Sequence, residues 1–297
     1  MKVFMALKYA LTRIPATTKA VLVELFSYLF VTVLVAYPLK RTVIAGFGRS
    51  MITERMREVI DVEAFLDLGP VLKSLISQVW GGLLVIIMAG FVLNAFFSGG
   101  LFAIVRSEGL TSVKNFFYYC AALFWSNFVV LFIMSLIMFL AGIISIIVPL
   151  GIAGAGMETP DITVLKAVLA GFTAYLLIIL PPLLIAADYA RAWLAATNEN
   201  RPFRALGYGF SRIFSSFRSS YFLMILILVI QVIFLLLYSY IIPFMTPSDH
   251  SGIFYLFIAS QLMFTARLFL KVLRYGAITF LYEHLPVQPD KLSYDLT

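Results

Sequence analysis

Apolar residues run along this chain in six long blocks separated by short polar punctuation. The blocks extend from about Ala20 to Tyr37, Val79 to Phe97, Ala121 to Val148, Ile162 to Ala187, Tyr221 to Ile242 and Gly252 to Leu273. A helix crossing a hydrocarbon core needs about 20 largely apolar residues. Each block therefore predicts one transmembrane helix. The expected fold is all-α, an integral membrane bundle of six transmembrane helices forming a single polytopic domain over residues 1–297.

Proline and glycine set the expected ends. Pro38 is predicted to close the first span and Ser98-Gly99-Gly100 the second. Pro149 and the small-residue run 151–156 are predicted to close the third, and Pro243 with Pro247 the fifth. Pro181-Pro182 lies inside the fourth. Proline lacks a backbone donor and clashes with the preceding turn. A break is expected there, with carbonyls near Leu177 and Ile178 losing their helical partners.

Three further segments are amphipathic. In residues 1–19, Val3, Phe4, Leu7, Leu11 and Ile14 recur at helical spacing opposite Lys2, Lys8 and Arg13. This predicts an interfacial helix leading into an uncleaved signal anchor. The loop 40–78 carries a second pattern, Arg49 to Leu66, with Ile52, Met56, Val59, Val62 and Leu66 on one face. Residues 188–220 form the third. Asp188 to Ala192 continue the fourth helix, and Asn198-Glu199-Asn200 interrupt it. Phe203, Leu206, Phe210, Ile213, Phe214 and Phe217 are expected to line the apolar side of a returning arm. Arg191, Arg201, Arg204, Arg212 and Arg218 are then expected at the phosphate level, contacting lipid phosphate or a cytoplasmic partner.

Composition agrees with a membrane class. The chain is 62% hydrophobic and only 12% charged, against about 25% charged in soluble domains. Its net charge of +7 orients the chain rather than marking a nucleic-acid partner, because the basic residues are scattered over several loops. With the N-terminus inside, the inner segments hold 14 Lys and Arg and the outer ones 7. The loop from the fourth to the fifth span decides this, with five arginines. The six basic residues of the 40–78 loop oppose it, facing Glu54, Glu58, Asp61, Glu63 and Asp67. Both termini are expected in the cytoplasm.

The chemistry is sparse. Cys120 is the only cysteine, which excludes an internal disulfide and a thiolate metal cluster. His250 and His284 are far apart in the chain. There is no G-x-S-x-G, H-E-x-x-H or phosphate-binding Gly-rich loop, and no pair of aspartates within the spans. No catalytic residue, metal or cofactor is expected, and the chain is read as a non-enzyme.

What remains are polar residues inside the spans, each costly in hydrocarbon. Glu24, Asn94, Asn127, Asp188 and Arg267 come from five spans and fall in the inner leaflet, while Gln231 and Gln261 fall near the middle. Two readings are open. The five form a polar cluster, with Glu24 and Asp188 as acidic walls and Arg267 as counter-charge. Alternatively, the charged residues snorkel to the headgroups and the amides join helices.

Three segments together carry a resemblance: Leu93-Asn94-Ala95-Phe96-Phe97-Ser98-Gly99-Gly100-Leu101, Ser112 to Tyr119, and Asp188-Tyr189-Ala190-Arg191 followed by Ala205 to Phe210. This layout, over about residues 80–220, resembles poorly characterised bacterial six-span membrane proteins. It is more distantly similar to the membrane region accompanying some glycerophosphodiester phosphodiesterases, whose catalytic domain has no counterpart here. The resemblance implies a helical bundle in a bacterial inner membrane and no established activity. The expected function is the handling of a lipid or small amphiphile, as a transporter or accessory subunit. The alternative is a structural scaffold docking through the Arg-rich hairpin and the outer amphipathic helix. Membrane lipids are the expected partners, and other membrane-protein subunits the second candidates.

Overall fold

The computed structural model describes residues 2–47, 69–107, 112–154, 162–242 and 250–284. These residues are helical throughout apart from short connections, and no strand occurs among them. The helices are α1 (Lys2–Phe47), α2 (Gly69–Arg106), α3 (Val113–Ala122), α4 (Phe124–Gly154), α5 (Ile162–Ala174), α6 (Leu180–Thr197), α7 (Pro202–Ile241) and α8 (His250–His284), with a π-helical segment Tyr175–Ile179 joining α5 to α6. Six helical runs are long and apolar enough to cross a membrane. The protein is therefore an all-α, multi-pass membrane protein. The expected amphipathic helix at Arg49–Leu66 lies outside the described residues.

Several expected ends are not ends. α1 continues through Pro15 and Pro38 to Phe47, so residues 1–19 are the first turns of one helix rather than a separate interfacial one. Its packed face is made largely of small residues. Ala6, Ala10 and Thr17 are buried, whereas Phe4 and Leu11 are exposed. Small side chains let backbones approach when lipid removes the hydrophobic drive between helices. Thus a Cβ on Gly276 of α8 would stand 2.9 Å from the Ala10 Cβ. The same logic retains Ser98-Gly99-Gly100 inside α2, where Gly100 lies against Phe116 and Cys120 of α3. α4 runs through Pro149, and its described part ends at Gly154, inside the small-residue run expected to close it.

The chain divides into two compact units, Met1–Val21 with Ala95–Thr297, and Leu22–Asn94. In the smaller unit, α1 and α2 pair antiparallel. Gly82 faces Val35, Gly90 lies near Tyr28, and the Thr42 hydroxyl donates to Gln78 Oε1 at 2.6 Å. In the larger unit, burial is concentrated at one end. It is built from the start of α1, the end of α2, α3, the first turns of α4, most of α6, the first half of α7 and the end of α8. Beyond this packed end the helices carry exposed apolar side chains such as Phe139, Ile147, Leu236 and Leu262, as lipid-facing spans do.

The proline pair acts as expected. The run 162–197 is not a regular α-helix, because the five residues before Leu180 are π-helical and Pro181-Pro182 open α6. A π-helical turn is where a helix accommodates a lost i→i−4 bond. The Leu177 carbonyl, which a donor at position 181 would have satisfied, accepts instead from the Tyr221 hydroxyl at 2.7 Å. Tyr221→Phe should therefore lower stability by about 1 kcal/mol. The loss should largely vanish in a Pro181→Ala/Pro182→Ala background, in which position 181 again carries a backbone donor. Thermal unfolding of the four proteins in one detergent checks this. An equal loss in both backgrounds would show that the bond does not replace the missing one.

Candidate functional site

The site begins with a hairpin. α6 ends where Asn198 adopts the left-handed conformation (φ 54°, ψ 27°) and its N–H bonds the Leu194 carbonyl. Asparagine tolerates this conformation better than other side chains do. Four residues later Pro202 opens α7, as proline suits a first turn. The loop is tied to α4 by Ser126 Oγ donating to Asn200 Oδ1 at 3.1 Å. The arms meet on small residues, with Gly209 of α7 against the Ala186 carbonyl and Ala190 of α6. This close crossing fixes which faces of α6 point where. Asp188 and Arg191 turn toward α8, and Tyr189 toward α7.

On the α8 side lies a buried charge cluster. Asp188 Oδ2 is 2.9 Å from Arg274 Nε, and Asp188 Oδ1 is 3.4 Å from an Arg191 terminal nitrogen. The same Arg191 nitrogen donates to the Tyr275 hydroxyl at 3.2 Å. Phe102 of α2 stacks on the Tyr275 ring at 4.2 Å, and Arg274 and Lys271 lie 5.4 and 5.7 Å from its centre. The side chains of Asp188 and Arg191 are only 2% and 6% exposed, and that of Arg274 16%. Two guanidinium groups thus face one carboxylate.

The bonding within the cluster is incomplete. The Arg274–Asp188 approach is short but misaligned, so neither Arg274 Nε nor Asp188 Oδ2 completes a hydrogen bond. Arg191 Nε also lacks a hydrogen-bond partner. Charge-assisted hydrogen bonds usually close to about 2.7–2.9 Å. Those of Arg191 are long by that measure.

Surrounding contacts hold the frame. Arg106 of α2 pairs with Glu283 of α8 at 3.1 Å and donates to the Ala195 carbonyl of α6. Arg212 of α7 donates to the Tyr282 carbonyl of α8 at 3.4 Å. On the other face of α6, the Tyr189 hydroxyl lies 2.7 Å from Ser220 Oγ and 3.3 Å from Ser216 Oγ. Ser216 has non-helical backbone angles (φ −130°, ψ 22°), so the hydroxyl cluster sits at a kink in α7. Arg13 of α1 reaches the Ser107 carbonyl at 3.1 Å.

The five polar residues picked out from the sequence do not all meet. Asp188 is central. Arg267 is exposed and has no ion-pair partner among the described residues; Arg274, two turns further along α8, is the arginine that faces Asp188. Asn127 is buried beside Gly99, and neither end of its amide has a hydrogen-bond partner. Glu24 is buried and Asn94 half-buried, and both belong to the smaller unit, where the antiparallel register puts them at one level.

The five hairpin arginines also separate. Arg201, Arg204 and Arg218 are exposed, as phosphate or partner contact requires. Arg191 and Arg212 are buried and bonded within the bundle, so they do not reach outward. The returning arm is not apolar on its packed side alone. Leu206 and Ile213 are buried, but Phe203 and Phe214 are 74% and 82% exposed.

The chain matches no known protein-family model, no curated protein and no solved structure. The reading of the site rests on its own geometry. Arg274, Tyr275, Arg106 and Glu283 lie past the hydropathic ends of their spans, which hid them. One signal was visible: Asp188 and Arg191 are three residues apart and so share a helix face.

Proposed function

We propose that this multi-pass membrane protein binds a lipid or similar amphiphile at its packed end. It acts as a non-enzymatic transporter or accessory subunit. The carrying observation is the buried cluster in which Arg191 and Arg274 face the single carboxylate of Asp188. A buried charge excess is costly unless something compensates it. The cluster lies where the exposed apolar stretches of the helices give way to polar side chains, which supports a site at headgroup level. α7, at 40 residues, spans about 60 Å at 1.5 Å per residue. That is about twice a hydrocarbon core, so the packed end has length to spare beyond it. The basic residues of that end support placing it, with both termini, on the cytoplasmic side of a bacterial inner membrane.

A second reading is a scaffold subunit. The exposed Arg201, Arg204 and Arg218 beside the exposed Phe203 and Phe214 favour it.

Mild detergent extraction followed by mass spectrometry of copurified lipids tests the first reading. One lipid class should be enriched over its share of the membrane, and an Arg191→Gln/Arg274→Gln variant should lose the enrichment. Recovery of lipids in bulk proportion by both proteins would reject lipid handling at this site.

A further inference from the structure

We infer that Arg191, Arg274 and Tyr275 form a phosphoryl-anion site in which Asp188 is the internal counter-ion. The inference rests on the lipid-handling reading and names the group recognised.

Three observations converge. First, the charges do not balance, since two guanidinium groups surround one carboxylate. Glu283, on the same helix as Arg274, is engaged by Arg106. Second, donors are left over. Nε of Arg191 is buried without a hydrogen-bond partner, and Nε of Arg274 has only its misaligned approach to Asp188; unmade buried donors are expensive. The guanidinium fork presents paired N–H groups at a spacing that matches phosphate oxygens. Third, access is graded. The Arg274 side chain is 16% exposed, whereas Asp188 is only 2% exposed. An arriving anion therefore meets Arg274 first and competes with Asp188 for it.

Asp188 has a definite role in this arrangement. It holds the two arginines together when the anion is absent and weakens their grip when it is present. Competition of this kind keeps binding reversible, as a transporter or exchange site requires. A purely structural cluster makes the opposite demand: neutralising Asp188 removes its attraction and creates no affinity.

The test uses the full chain in detergent, titrated with phosphatidic acid, with diacylglycerol as the same lipid lacking phosphate, and with inorganic phosphate, and read by thermal shift and native mass spectrometry. Phosphatidic acid should bind and diacylglycerol should not. Arg274→Gln should weaken phosphatidic acid at least about tenfold, equivalent to about 1.4 kcal/mol. Arg274→Lys, which keeps the charge but loses the fork, should fall between them. Asp188→Asn should tighten binding several-fold. Competition by inorganic phosphate would identify a soluble anion as the source, and its failure to compete would identify the lipid headgroup. Equal binding of phosphatidic acid and diacylglycerol would overturn the inference while leaving lipid handling intact. So would unchanged phosphatidic acid affinity in both Arg274 variants, or weaker binding by Asp188→Asn. Binding of neither lipid would remove the lipid-handling reading itself.

Discussion

Gly209→Leu is expected to separate α6 from α7 and to cost about 3 kcal/mol or more, at or above the usual range for overpacking. A Cβ at Gly209 would run into the Ala186 carbonyl and stand 3.2 Å from the Ala190 nitrogen. Both obstacles are backbone, so no side-chain rotation relieves the clash. The seam is small on both sides, with Ala186 and Ala190 on α6 and Ala205 and Gly209 on α7, each pair four residues apart. Such spacing permits close helix approach in lipid. The seam also aims Asp188 and Arg191 at α8, so opening it disperses the charge cluster. Gly207 is the internal control. It lies two residues away on the same helix, and a Cβ there meets nothing within 4 Å. Gly207→Leu should be neutral or gain up to about 1 kcal/mol from helix propensity. Thermal unfolding of both variants checks the contrast. Equal losses would mean that the seam does not hold the hairpin.

How much of this was legible in the sequence differs between levels. Hydropathy located the six spans because their apolar runs are long compared with the bilayer. It misjudged where helices stop, because helix length and hydrocarbon thickness are separate quantities. α8 runs to His284, eleven residues past the end of the apolar block at Leu273, and that extension holds Arg274, Tyr275 and Glu283. Gly99-Gly100 reads as punctuation in a soluble chain. In this one it is a packing surface against α3. The N-terminal helix follows the same rule: Ala6, Ala10 and Thr17 pack, while Phe4 and Leu11, on the face expected toward the membrane, are exposed. The Pro181-Pro182 break was legible because proline's missing donor is a local covalent fact. Helix rotation was not. Depth along the spans grouped Arg267 with Asp188, yet rotation and packing gave that place to Arg274. The buried fate of Arg191 and Arg212 was hidden likewise, since an arginine next to a phosphate and one next to a carbonyl look alike in sequence.

The charge cluster predicts an asymmetry between its members. Removing Asp188 leaves Arg191 and Arg274 facing each other without a counter-charge, and loss of one partner from a buried pair typically costs about 3–5 kcal/mol. Asp188→Asn should fall in that range in the absence of added anion. Removing either arginine leaves a one-to-one pair: Arg191 at 3.4 Å or Arg274 at 2.9 Å still faces the carboxylate. Arg274→Met should therefore fall below that range, because a compensated pair remains. Arg191→Met should cost a similar amount, with some of its loss coming from the bond to Tyr275. Unfolding midpoints of the three variants under one detergent give the ordering directly. If Asp188→Asn proves the mildest of the three, repulsion between the two guanidinium groups is not what Asp188 holds in check.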